Sequence, residues 1–120
     1  MTQEQKELLL KDLCARLPYG VKVDINFYDT TKELSCDLIR DLFLGEKCLR
    51  PYLRPMSSMT EEEQFQLGKL LGATSFNLLK GEYSSLKELL EYSYKNHIDL
   101  FGLIPMGLAL EAPRDMYKIV

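Results

Sequence analysis

Leu9, Leu13 and Leu17 recur every four residues, with Leu10 and Cys14 beside them and Glu7, Lys11, Asp12 and Arg16 elsewhere on the wheel. This spacing predicts an amphipathic helix over about residues 3–16. Thr2 stands at its start with Gln5 three residues on, the pattern of a capping box. Pro18 and Gly20 end it, because proline cannot continue the hydrogen-bond ladder and glycine reaches backbone angles closed to other residues.

From Val21 the period changes to two. Val21, Val23, Ile25 and Phe27 alternate with Lys22, Asp24 and Asn26, which predicts a strand with one wet face. Asp29-Thr30-Thr31 reads as a turn, and Glu33 to Cys36 as an antiparallel return with Leu34 and Cys36 on one face. Residues 37–49 fit two descriptions. Leu38, Ile39, Leu42 and Phe43 suit a helix started by Asp37, whereas the apolar runs on either side of Gly45-Glu46 suit a second hairpin. Strands are favoured, since a third strand would relieve a marginal two-stranded ribbon.

Arg50-Pro51-Tyr52-Leu53-Arg54-Pro55 then reads as a rigid hinge over residues 50–59, between a sheet-containing front (1–49) and a helical back (60–120) of one domain. Thr60-Glu61-Glu62-Glu63 is a capping box with two further acids suited to a helix start. Its helix carries Phe65, Leu67, Leu70 and Leu71, with Gly72 as a stop; Ala73 to Gly81 is read as an irregular or helical connection. Ser85 and Glu88 form a third box, opening a helix to about Asn96 with Leu86, Leu89, Leu90 and Tyr94 on one face. Leu100 to Leu110, apolar and broken by Gly102, Pro105 and Gly107, is expected to pack on the core as a short turn before an extended tail ending at Met116-Tyr117. The fold class is therefore α+β: an N-terminal helix, a small antiparallel sheet, a proline hinge, then C-terminal helices.

Composition changes this picture little. The 120 residues are 46% hydrophobic and 28% charged, ordinary values for one globular domain. Three cysteines, Cys14, Cys36 and Cys48, without CxxC spacing suit reduced thiols in or near the core. The polar N-terminus is followed only by Leu8-Leu9-Leu10, too short for a membrane span, and a cytoplasmic location is expected. Residues 1–60 carry nine basic and nine acidic side chains and residues 61–120 six and nine, giving a net charge of −3. Such a chain lacks the broad basic footprint of a nucleic-acid binder.

The stretch Leu8 to Val21, the block Arg50 to Glu63, and Gly102-Leu103-Ile104 with Gly107 to Pro113 together resemble a family of short uncharacterised proteins carried by gut bacterial genomes and by their phages and mobile elements. The resemblance covers about half the chain. It implies an intracellular bacterial or phage accessory protein with a small sheet, and supplies no activity, catalytic residue or cofactor.

Candidate chemistry is thin. His97, the one histidine, falls at a helix end where an imidazolium would meet the helix dipole. It has no nucleophile motif beside it. A zinc site of the three cysteines and His97 lacks paired short spacings, and Glu61-Glu62-Glu63 point in different directions on a helix and cannot converge on an ion. No catalytic residue, metal or cofactor is assigned. The best binding set is Lys47, Arg50, Tyr52 and Arg54, three cations interleaved with an aromatic ring, which could meet an acidic protein or a phosphate backbone. Tyr83, Tyr92, Tyr94 and Tyr117 suit an interface or the edge of a core. The sequence thus favours a non-enzymatic protein-interaction accessory, with a homo-oligomer among the options, over a weak nucleic-acid binder.

Overall fold

The computed structural model describes residues 1–27, 30–81 and 84–117, with Ser84 followed as backbone alone. Asp29 and Tyr83, named above for a turn and an interface, lie outside the described residues. The architecture is α+β. Helix α1 (Gln3–Arg16) is followed by a 3₁₀ turn, Leu17–Tyr19, and by β1 (Lys22–Ile25) and β2 (Thr30–Glu33). Then come α2 (Cys36–Phe43), β3 (Leu49–Leu53), a second 3₁₀ turn (Met56–Ser58), α3 (Glu61–Leu79), α4 (Ser84–Lys95) and β4 (Leu110–Glu111).

The local signals at the two strongest helix starts operate as expected. Gln5 N–H donates to Thr2 Oγ1 at 3.1 Å while Thr2 N–H donates to Gln5 Oε1 at 3.0 Å, and Thr60 and Glu63 repeat the exchange at 3.2 and 3.0 Å. Gly20 takes φ +70°, a left-handed backbone angle that calls for glycine, while the Cβ of another residue would meet only the tip of the exposed Glu33 side chain.

Residues 37–49 correct the favoured strand reading. Ser35, in extended backbone, accepts from Leu38 N–H and starts α2 one turn before the apolar run. Leu38 and Leu42 then face the core and Phe43 is left outside. The third strand exists, but it lies further on, inside the stretch expected as a hinge.

The sheet order is β2-β1-β3-β4. β1 pairs antiparallel with β2 and β3, and β3 pairs parallel with β4, so β3 is interior despite its proline. Register explains why. Asn26 N–H donates to Cys48 O, so the Asp24–Arg50 pair is hydrogen-bonded and Val23 faces Pro51 as a non-bonded pair. The Pro51 nitrogen therefore points away from β1, towards an edge that β4 joins only from Tyr52 onward.

One sheet face packs on α1 and α2. Leu9, Leu13, Val21, Val23, Leu38, Leu42, Leu49, Leu53, Leu103, Leu108 and Ala109 form its core, so the apolar tail contributes as expected, with Phe101 and Met106 left exposed. The cysteines do not contribute: Cys14, Cys36 and Cys48 are all exposed. Cys14 falls between the buried Leu13 and Arg16 positions of α1, on its outer side, and Cys36 opens α2 instead of extending β2. Among the described residues, no helix is long and apolar enough to cross a membrane.

Candidate functional site

The four residues expected to form a binding patch are all engaged within the chain. Arg54 is buried. Its Nη1 donates to Glu63 Oε2 at 2.8 Å and to Asn96 O at 3.1 Å, and its Nη2 to Glu63 Oε1 at 2.6 Å and Ser58 O at 3.3 Å. Its backbone bonds the segment after α4 in both directions, Arg54 N–H to His97 O at 2.7 Å and Asp99 N–H to Arg54 O at 2.9 Å. One side chain thus ties β3 to the start of α3 and the end of α4. The expected hinge is a locked junction.

Glu63 serves the capping box and Arg54 together, and these hydrogen bonds hold its carboxyl below the usual range, the Arg54 contact first. Tyr52 is buried. Arg50 Nη2 meets Asp24 Oδ2 at 3.1 Å and its guanidinium lies 4.3 Å from the centre of the Phe27 ring. Lys47 meets Asp41 at 3.1 Å. Arg50, Tyr52 and Arg54 share a sheet face by alternation, but each cation has a carboxylate of its own and Lys47 lies apart beside α2.

The end of α4 is a second polar junction. His97 N–H donates to Tyr94 O and Ile98 N–H to Ser93 O, the paired bonds of a Schellman motif. His97 occupies its left-handed position at φ +59°, normally a glycine site. Its ring stacks on Tyr117 with centroids 3.7 Å apart, a contact that glycine would lack. The expected imidazolium is replaced by two guanidiniums: Arg54 takes Asn96 O, and Arg16, itself paired with Asp12 at 2.8 Å, takes Ile98 O at 2.9 Å. Burial first, then Arg16, Arg54 and Lys22, push the His97 pKa down to about 4, so the ring is neutral at pH 7. Burial also raises the Asp12 carboxyl against the pull of Arg16.

Tyr117 anchors the tail. Its hydroxyl accepts from Lys22 N–H at 2.9 Å and donates to Tyr52 O at 2.7 Å. Continued register would set Lys22 opposite Tyr52, so the phenol is inserted where the β1–β3 ladder opens. Burial pushes its pKa up to about 12. A cleft of about 500 Å³ beside it is lined by Arg54, Ser58, Thr60, Glu111, Arg114 and Tyr117, with Arg54 and the Tyr117 hydroxyl facing inward partners. Among the described residues, no three His, Cys, Asp or Glu side chains are grouped to hold a metal.

The surface that the sequence reading missed is on α3. Gly72 does not stop this helix, which runs on to Leu79, and of its 19 residues only Glu63, Leu67 and Thr74 are buried. That buried face packs on α4. Ser85, expected as the cap of α4, instead lies inside it, with its hydroxyl taking a hydrogen bond from Asn77 Nδ2 of α3. At 3.6 residues per turn, Phe65, Gly68, Gly72, Phe76 and Leu79 fall on the opposite side. Phe65 is 65%, Phe76 58% and Leu79 88% exposed. Among the described residues nothing lies within 4 Å of a Cβ at Gly68 or Gly72, and both have ordinary helical φ, so neither a turn nor packing within these residues accounts for them, although each costs about 1 kcal/mol against alanine in a helix interior. Lys69 and Lys80 lie over the two phenylalanine rings, at 5.5 and 4.4 Å.

The signal for this surface was present. Phe65 and Leu67 are about 200° apart on a helix and cannot share one face. Set against protein-family models, curated proteins and solved structures, the chain matches no family model, no curated protein and no solved structure.

Proposed function

We propose that the protein is a non-enzymatic interaction protein, an accessory of a bacterium or its phage working in the cytoplasm, which acts by holding another protein on the outward face of α3. The observation that carries this reading is the apolar strip of Phe65, Phe76 and Leu79, exposed by more than half at each position on a helix whose other side is packed on α4. Solvent-exposed apolar side chains grouped on one rigid face are the usual mark of a protein contact. The polar centres support the same reading, since Lys47, Arg50 and Arg54 each have an internal carboxylate and offer little free charge to a phosphate backbone.

A photocrosslinking residue placed at Leu79 and, separately, at Lys47 tests the assignment in host cells. Discrete protein adducts from position 79 and none from position 47 are expected. Adducts from position 47 alone, or from neither, would overturn it.

A further inference from the structure

The outward face of α3 is self-complementary under a two-fold axis, and we infer that its partner is a second copy of this chain, with the two α3 helices packed antiparallel through Gly68 and Gly72. This rests on the reading of α3 as the contact face and adds the identity of the occupant.

An axis passing between Leu70 and Leu71 pairs positions whose numbers sum to 141. Phe65 then meets Phe76 of the other copy, and Gly68, on one flank, comes beside its Gly72. Lys69 is level with Gly72, which has no side chain to oppose it, and its own amine is turned over the Phe65 ring. At the ends, Glu62 and Lys80, eighteen residues apart and so on one flank of the helix face, meet across the pair, while Glu61 lies beside Leu79 on the other flank.

Three features converge on this arrangement. Phe65 and Phe76 sit symmetrically about the axis, with Gly68 and Gly72 between them where two helices must come closest. The charges are complementary: Glu61 and Glu62 lie in the acidic first turn, while Lys80, at the far end of α3, already lies over Phe76. A parallel pair would instead set Glu61 against Glu61. The antiparallel pair also brings the negative end of each helix dipole beside the positive end of the other. Two phenylalanines and a leucine from each copy, with the glycine backbones between them, bury on the order of 1,000 Å² in total. That is at the small end of specific interfaces, so the dimer is weak and concentration-dependent.

Sedimentation equilibrium on the full chain over a wide concentration range provides the test. The wild type is expected to pass from monomer to dimer. Phe76→Glu is expected to raise the dimer Kd by at least about tenfold with the helical circular dichroism unchanged. Glu62→Lys and Lys80→Glu should each raise it by roughly fivefold. An equimolar mixture of those two variants should recover wild-type association, because each copy then supplies the charge that the other lacks. Within one chain the two positions are at opposite ends of a 19-residue helix, so the recovery reports contact between copies. A wild type that stays monomeric throughout, a Phe76→Glu dimer of unchanged affinity, or a mixture that gains nothing would overturn the proposal. If the wild type is monomeric but position 79 crosslinks to a different protein, the self-pairing fails and the interaction reading stands; if neither occurs, both fail.

Discussion

Strand β3 with its flanking turns and helix α3 are adjacent in the chain and opposite in character. From Leu49 to Thr60 nearly every unusual residue has an inward partner: Pro51 sits at the register position that needs no N–H, Arg50 meets Asp24, and Arg54 makes four side-chain hydrogen bonds. From Phe65 to Leu79 the chain is one regular helix that carries two phenylalanines and two glycines, yet only Leu67 and Thr74 in that span are buried. A concentration of prolines and arginines can therefore mark a folding junction, while a contact surface can show only as apolar residues left on the wrong side of a regular helix. Local rules satisfied everywhere point to structure, and the place where they are broken without an internal gain points outward.

The largest expected effect tests the inward half of this contrast. Arg54→Ala leaves the Glu63 carboxylate buried without its partner and Asn96 O without a donor, and should cost about 3–5 kcal/mol of stability in chemical denaturation. A stable Arg54→Ala protein with altered binding would return β3 to the list of functional surfaces.

Next in size is the acid response of the junction. His97 has a folded pKa of about 4 against an ordinary 6.5. The unfolded chain therefore takes up its proton first, and the stability that the neutral ring contributes, complete above pH 6.5, is lost as pH falls towards 4. Glu63, held below its usual value, adds a loss in the same direction as pH falls through the carboxylate range. Asp12, raised by burial, opposes it there. His97→Asn keeps a residue tolerant of the left-handed position and removes the titration. It should lower stability at pH 7 by about 1 kcal/mol through loss of the Tyr117 stack and flatten the fall between pH 6.5 and 4. An unchanged pH profile would show that the ring is not held neutral.

Smaller effects separate the two faces of α3. Thr60→Ala removes the cap and should cost about 1 kcal/mol. Gly68→Ala should raise monomer stability by about 1 kcal/mol, because a Cβ there meets nothing, and weaken self-association. A gain in both would remove close backbone approach from the account.

Much of the fold was legible in local chemistry. The boxes at Thr2 and Thr60 and the alternation of Val21, Val23 and Ile25 set α1, α3 and β1, because each rests on neighbouring residues alone. Three features depended on distant partners. Asp24, alternating towards the expected wet face, is buried because Arg50 comes to it from another strand. β3 was obscured by Pro51, which argues against an interior strand until the register is known. α2 was obscured by its length of eight residues, although Ser35 before Leu38 and Leu42 was a usable start signal. Of the candidate site, the basic set was legible only as composition, and its pairing with Asp24, Asp41 and Glu63 required the tertiary structure. The α3 face was the reverse: its residues were in view, but Phe65 and Leu67 have to be sorted onto opposite sides of the helix before the outward face shows.

Sedimentation equilibrium on Phe76→Glu beside Arg50→Ala tests the central contrast most directly. Phe76→Glu is expected to lose association while keeping wild-type stability, and Arg50→Ala to associate like the wild type. Association abolished by Arg50→Ala and untouched by Phe76→Glu would contradict it.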